Sequence, residues 1–177
     1  MSKTPISMQV TPEYQQMLRM QPACDRVLCE VFGITQDKIF RTEENASILD
    51  QKFAIDVVLE LPNGTHITGQ EKTLSFEFSK YDTFTLEFYQ NRLTKEKGEF
   101  FKIASQFYLS GYSDQTGCEF LTWKVVDVVK LMLWLKDSKL EALESRTKSS
   151  TSRASFLPIP YKSLPGEIII AQSEVLL

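Results

Sequence analysis

The sequence predicts an α/β (α+β) domain with one central sheet. Three observations predict it. A helical run opens the chain, alternating strands fold back around a strong turn at Pro62-Asn63-Gly64, and an apolar helix closes the regular part near Lys136. With 177 residues and 42% hydrophobic content, the chain is long enough to bury one real core.

The opening helix is predicted over Thr11 to Phe32. Thr11 suits the cap, Pro12 the first helical position and Glu13 the first turn, while Leu28, Val31 and Phe32 recur with Cys24 at helical spacing. Pro22 is expected to break or kink it, giving two shorter helices, and Gly33 to stop it. Residues 35–47 are polar and read as a loop or short helix. Phe53, Ile55, Val57 and Leu59 alternate with Ala54, Asp56, Val58 and Glu60, the pattern of a strand. After the turn, a returning strand runs from Thr65 to Ser75 and a third from Thr83 to Tyr89, the three forming an antiparallel set. Gly98 to Ala104 reads as helix, Gln106 to Tyr112 and Cys118 to Val126 as strands, and Val125 to Lys136 as the closing helix. Large apolar residues thin out over 139–155, which reads as a flexible linker between a domain of residues 1–138 and an extended segment, 156–177. Pro158, Pro160 and Pro165 frame that segment, Ile168 to Ile170 looks like a short strand, and the segment is expected to pack on the core or on a partner.

The formal net charge of −3 argues against a protein that grips nucleic acid over its whole surface, and leaves room for a local basic groove. No apolar run is long enough for a membrane span, and Met1 to Val10 lacks the pattern of a secretion signal. Cys24, Cys29 and Cys118 are odd in number and lack zinc spacing, so they read as buried, reduced thiols of a cytoplasmic protein.

The chemistry concentrates around the hairpin. Side chains two apart on a strand share a face, so Gln70 and Lys72 point together and Glu71 points the other way. A simple fold-back around Asn63-Gly64 brings Asp56 beside Gln70 and Lys72. A carboxylate, an amide oxygen and an ammonium at one point suit phosphodiester hydrolysis. A divalent cation polarises the phosphate and lowers the pKa of an attacking water, and Mg²⁺ accepts a few hard oxygen ligands while keeping several waters. Asp56, the Gln70 side-chain oxygen and the Glu71 main-chain carbonyl are candidate metal ligands. Lys72 is the candidate to hold the water or stabilise charge on the phosphate.

Ile55-Asp56, a hairpin, then Gln70-Glu71-Lys72 resembles the core of the PD-(D/E)XK nucleases, over about three quarters of the chain. The triplet starts with Gln70 instead of an acid, as in some homing endonucleases of that family, and no Pro precedes Asp56. The resemblance implies a restriction-endonuclease-like core, a central mixed β-sheet flanked by helices. It implies a deoxyribonuclease that needs Mg²⁺ or Mn²⁺, with DNA as its partner. It also carries the expectation of a homodimer, since relatives that cut both strands pair two active sites. Many members carry an acid on the first helix, which makes Asp25 and Glu30 additional candidates; Glu87, in mid-strand, is another. Glu99 and Lys102 face either solvent or substrate. His66 reads as surface, and Tyr108, Tyr112 and Trp123 as core or sheet-face aromatics. The rival reading is a nucleic-acid-binding or scaffold protein of the same fold without cleavage, with Arg146, Lys148 and Arg153 available to phosphates. A third is an oligomerisation module joined through the Pro-framed tail.

Overall fold

The computed structural model describes residues 12–42, 48–149 and 153–173, so the cap expected of Thr11 and part of the expected linker lie outside the described residues. One helix, α1 (Pro12–Phe32), opens the described chain. Pro22 does not split it. The prolyl ring lies on the exposed side of the helix, away from the buried face carried by Met20, Ala23 and Cys24. Gly33 follows at φ 63, the left-handed position that ends a helix most easily with glycine.

Two sheets follow. The large one holds β1 (Ile39–Arg41), β2 (Val57–Glu60), β3 (His66–Leu74), β6 (Phe107–Ser113), β7 (Phe120–Asp127) and β10 (Ile169–Gln172), in the order β1-β2-β3-β6-β7-β10. It is mixed: β3 and β6 run parallel, with Gln70 beside Tyr108 and Lys72 beside Ser110, and the other pairs are antiparallel. The small sheet has the order β5-β4-β9-β8, from β4 (Thr83–Asn91), β5 (Glu96–Lys97), β8 (Lys148–Ser149) and β9 (Ser155–Pro160).

Three expectations change here. The strand read over Phe53 to Glu60 is shorter. Phe53 ends a short helix, α2 (Ile48–Phe53), and Ala54 at φ 49 turns the chain before β2 begins at Val57. The strand at Thr83 to Tyr89 exists, but as β4 it pairs with β9 and not with β3. Alternation of Phe84, Leu86 and Phe88 marks a buried face without saying which sheet that face belongs to. Between β3 and β4 the chain makes a 3₁₀ turn over Phe76–Tyr81 and re-aims at Asp82, φ 44, while β6 takes the place beside β3. The helix read over Gly98 to Ala104 is a single 3₁₀ turn, Glu99–Phe101.

The segment read as a linker carries α4 (Leu140–Ser145), whose Leu143 is 2% exposed within the main core, and β8, which pairs with β9. The tail is built into the domain, since β9 completes the small sheet and β10 lies against β7. The closing helix α3 (Val128–Leu135) is capped by Asp127, whose carboxylate accepts the Lys130 N–H.

The large sheet is covered on both faces. Cys24, Val27 and Leu28 of α1 pack on Val57, Leu59, Phe107, Leu109 and Val125. On the other face, Tyr108, Tyr112 and Val126 meet the small sheet (Phe84, Leu86, Phe88, Leu157, Ile159) and α3. Two tyrosines tie the sheets together through buried polar atoms. The Tyr112 hydroxyl accepts the Thr83 N–H and donates to the Thr83 carbonyl, both at 2.9 Å, and the Tyr161 hydroxyl donates to Ser110 Oγ at 3.0 Å. All three cysteines are free; Cys24 is buried as expected, whereas Cys118 is exposed on the β6–β7 loop. Among the described residues no helix is long and apolar enough to cross a membrane.

A Cβ added at Gly69 would overlap the buried Phe107 ring of the neighbouring strand. Gly69→Ala is therefore expected to lower unfolding stability in urea by about 1–3 kcal/mol. Phe107→Leu in the same chain should recover part of the loss; no recovery would place the strain elsewhere.

Candidate active-site cleft

The two faces of β3 carry different chemistry. Gln70 and Lys72 look toward the small sheet and line a cleft of about 270 Å³, shared with Asp50, Ala54, Glu71, Glu87, Glu99, Lys102 and Tyr108. Asp56 adjoins this lining through a backbone bond: its Oδ2 accepts the Glu71 N–H at 3.0 Å. Its own backbone is held on both sides, the N–H donating to the Gly69 carbonyl and the carbonyl accepting the Thr42 N–H, each at 2.9 Å. The left-handed Ala54 lies two residues earlier and is buried in the cleft wall. Such a conformation costs an alanine on the order of 1 kcal/mol.

Burial is the main reason the Asp56 carboxyl is pushed up to about 7. The Glu71 N–H acts against that shift, and the charges of Asp50, Glu71 and Glu99 add to it. Glu99 is 7% exposed; its Oε2 accepts the Glu87 N–H at 3.3 Å. Lys72 Nζ lies 4.0 Å from that oxygen, 3.4 Å from the Thr85 carbonyl and 4.9 Å above the Phe156 ring. Glu87 is raised by burial, with Lys72 pulling it down and Glu99 pushing it up. The Tyr108 ring is fully buried, and burial together with the nearby Glu99 charge holds its hydroxyl in the protonated form.

Gln70 Oε1 is buried in this cleft without a hydrogen-bond partner, whereas the Tyr108 hydroxyl and Glu99 lie close enough to interact with each other. An unpaired buried polar group costs about 1–3 kcal/mol, so the Gln70 oxygen is a signal of ligand binding. Among the described residues no three His, Cys, Asp or Glu side chains group together as a metal site. The oxygen donors here come instead from mixed sources, the Asp56 carboxylate, the Gln70 amide and the Glu71 main chain, with Glu99 as a further carboxylate. An all-oxygen set of low count fits a hard cation that keeps its own waters.

Of the additional acids, Glu87 lines the cleft and Asp25 and Glu30 do not. Asp25 sits behind β3, because α1 covers the opposite face of the sheet. There Arg41 joins it at 2.6 Å and reaches both oxygens of Glu71, at 3.0 and 3.2 Å; Gln36 donates to Asp25 at 2.9 Å. The Glu71 side chain therefore belongs to this rear network, and only its backbone faces Asp56. Glu30 is exposed on α1, and His66 is exposed beside the turn. The residues not anticipated are Asp50 and Ala54, which carry no sequence signal. The burial of Glu99 was signalled only by the adjacent Phe100 and Phe101. Comparison with protein-family models, curated proteins and solved structures finds no match.

Arg41→Ala leaves two buried carboxylates without a counter-charge and should cost about 3–5 kcal/mol in chemical denaturation. Asp56 gives a pH signature. Its carboxyl moves from 3.8 to about 7 on folding, so between those values the unfolded chain releases a proton that the folded chain keeps. Its contribution is thus full below about pH 4, falls by at most about 1.4 kcal/mol per pH unit up to pH 7, and is flat above. Melting temperatures of Asp56→Asn should decline less than wild type between pH 5 and 7. Parallel curves would mean that Asp56 is not held in a desolvated site.

Proposed function

We propose that the chain is a metal-dependent endonuclease of the PD-(D/E)XK type, hydrolysing DNA phosphodiester bonds at Asp56, Gln70 and Lys72. The observation that carries this reading is the Asp56–Glu71 backbone bond beside a cleft where Gln70 Oε1 is buried without a partner. α1, the β2–β3 hairpin and a parallel β6 make the counterpart of a restriction-endonuclease-like core in this reading.

Asp56, Gln70 Oε1 and the Glu71 carbonyl would hold Mg²⁺ or Mn²⁺, which when bound supplies Lewis-acid polarisation of the phosphate and a more acidic water. The Lys72 ammonium lies over the Phe156 ring and reaches the Thr85 carbonyl, so it is oriented before substrate arrives. From there it stabilises negative charge developing on the phosphate. Glu99 offers the carboxylate that Gln70 lacks, within the same cleft. The enzyme of this reading works in the cytoplasm and cuts both strands as a homodimer. The second reading, a nucleic-acid-binding or scaffold protein without cleavage, is favoured by two observations, the neutral Gln70 in the acidic position and the formal net charge of −3.

The test is cleavage of supercoiled, linear and branched DNA with Mg²⁺ or Mn²⁺. Asp56→Ala and Lys72→Ala should each lose about 100-fold or more in rate, and chelation of the metal should abolish cutting. Lys72→Ala should keep its cooperative unfolding. Gln70→Glu should bind Mn²⁺ at least as tightly as wild type by calorimetry. Folded wild-type protein that cuts none of these substrates would leave the non-catalytic reading.

A further inference from the structure

We infer that a second pocket, on the small sheet, is a binding site for a backbone phosphate of the nucleic acid. It measures about 170 Å³ and is lined by Tyr89, Arg92, Lys95, Glu144, Thr147, Ser149 and Ser155. Its charges are unevenly committed. Lys95 pairs with Glu144 and lies over the Tyr89 ring. Arg92 makes no ion pair among the described residues; its side chain donates once, to Ser149 Oγ at 2.7 Å, which leaves most of its five N–H donors open. Ser155 supplies the independent observation. It is 4% exposed, lines the pocket, and its Oγ has no hydrogen-bond partner. A guanidinium fork without an anion, a second hydroxyl at Ser149 and a buried orphan hydroxyl form a donor set for a tetrahedral oxyanion.

β4 and β9 pair Glu87 with Phe156 and Tyr89 with Ser155. Glu87 lines the cleft and Phe156 lies under Lys72, while Tyr89 and Ser155 line the pocket. Ser155 and Phe156 are consecutive on β9 and face opposite sides of the small sheet, with a register shift between Glu87 and Tyr89, so the pocket and the cleft are separate sites on one strand pair. The oxyanion that a DNA-binding chain would bring to the pocket is a backbone phosphate. This source rests on the nuclease reading, whereas oxyanion binding itself does not.

The experiment is a titration of inorganic phosphate followed by amide shifts in the absence of metal. It uses wild type, Arg92→Ala, Arg92→Lys, Ser155→Ala and, as a charge-matched control, the exposed Lys162→Ala. Shifts should cluster at residues 89–95 and 147–155. Arg92→Ala should weaken binding about tenfold or more, Arg92→Lys and Ser155→Ala less, and Lys162→Ala not at all. Absence of shifts at the pocket, or equal weakening by Lys162→Ala, would overturn the site. A second arm measures oligonucleotide binding by anisotropy against salt, on an Asp56→Ala background so that no strand is cut. Arg92→Ala should reduce the salt slope by about one. Phosphate binding with an unchanged oligonucleotide slope would overturn the backbone source. Neither arm reads cleavage, so a failed nuclease assay leaves both results standing.

Discussion

The hydrogen bond from the Glu71 N–H to the Asp56 carboxylate is the constraint on which the site depends. The β2–β3 ladder ends at Val57 and Gly69, yet β3 continues to Leu74. Beyond that point the β2 side of β3 is an edge, and a buried edge N–H must find an acceptor. Asp56 supplies it from a side chain, in place of the backbone carbonyl that a longer strand would bring. The ladder therefore ends at the place where a carboxylate is wanted. The Asp56 backbone is bonded on both sides, and the Glu71 N–H holds the carboxylate in one rotamer.

Holding charge at a sheet edge requires a balanced surrounding. Behind β3, Arg41 lies between Asp25 and Glu71 and neutralises part of their charge, which keeps the strand's rear face compatible with the packing of α1. In front, Glu87 and Glu99 share the cleft with the ammonium groups of Lys72 and Lys102, and Asp56 adjoins them. Burial is the main reason that Asp56 and Glu87 hold their protons more tightly than usual, and neighbouring carboxylates add to it. A divalent cation bound there would compete with protons at Asp56.

Much of this was legible in the sequence because it rests on local rules. The Pro62-Asn63-Gly64 turn fixed the hairpin, and alternation assigned Gln70 and Lys72 to one face and Glu71 to the other. What was not legible depends on partners far along the chain. Nothing local to Phe84, Leu86 and Phe88 says that their strand pairs with Ser155–Pro160, more than sixty residues later. Asp25 has the burial expected of a site acid, but the side of the sheet on which α1 packs decides its neighbours. Leu143 was submerged in a Ser- and Lys-rich composition, although this one leucine, 2% exposed, seats α4 on the core while Leu140 stays exposed.

The small sheet then determines how far the cleft can open. Lys72 stands on the large sheet, but its ammonium meets the Thr85 carbonyl on β4 and the Phe156 ring on β9. The sheets are held at that separation by the Tyr112–Thr83 bonds and by the buried Tyr161–Ser110 bond. A shift of the small sheet would therefore move the acids Glu87 and Glu99 relative to Asp56 without touching the hairpin. The segment after α3 is consequently part of the site's geometry: β9 completes the sheet that carries one wall, and α4 anchors it through Leu143. Loss of the chain beyond Ser149 would leave β4 with a bare edge and Lys72 without its ring, even though Asp56, Gln70 and Lys72 all lie far upstream.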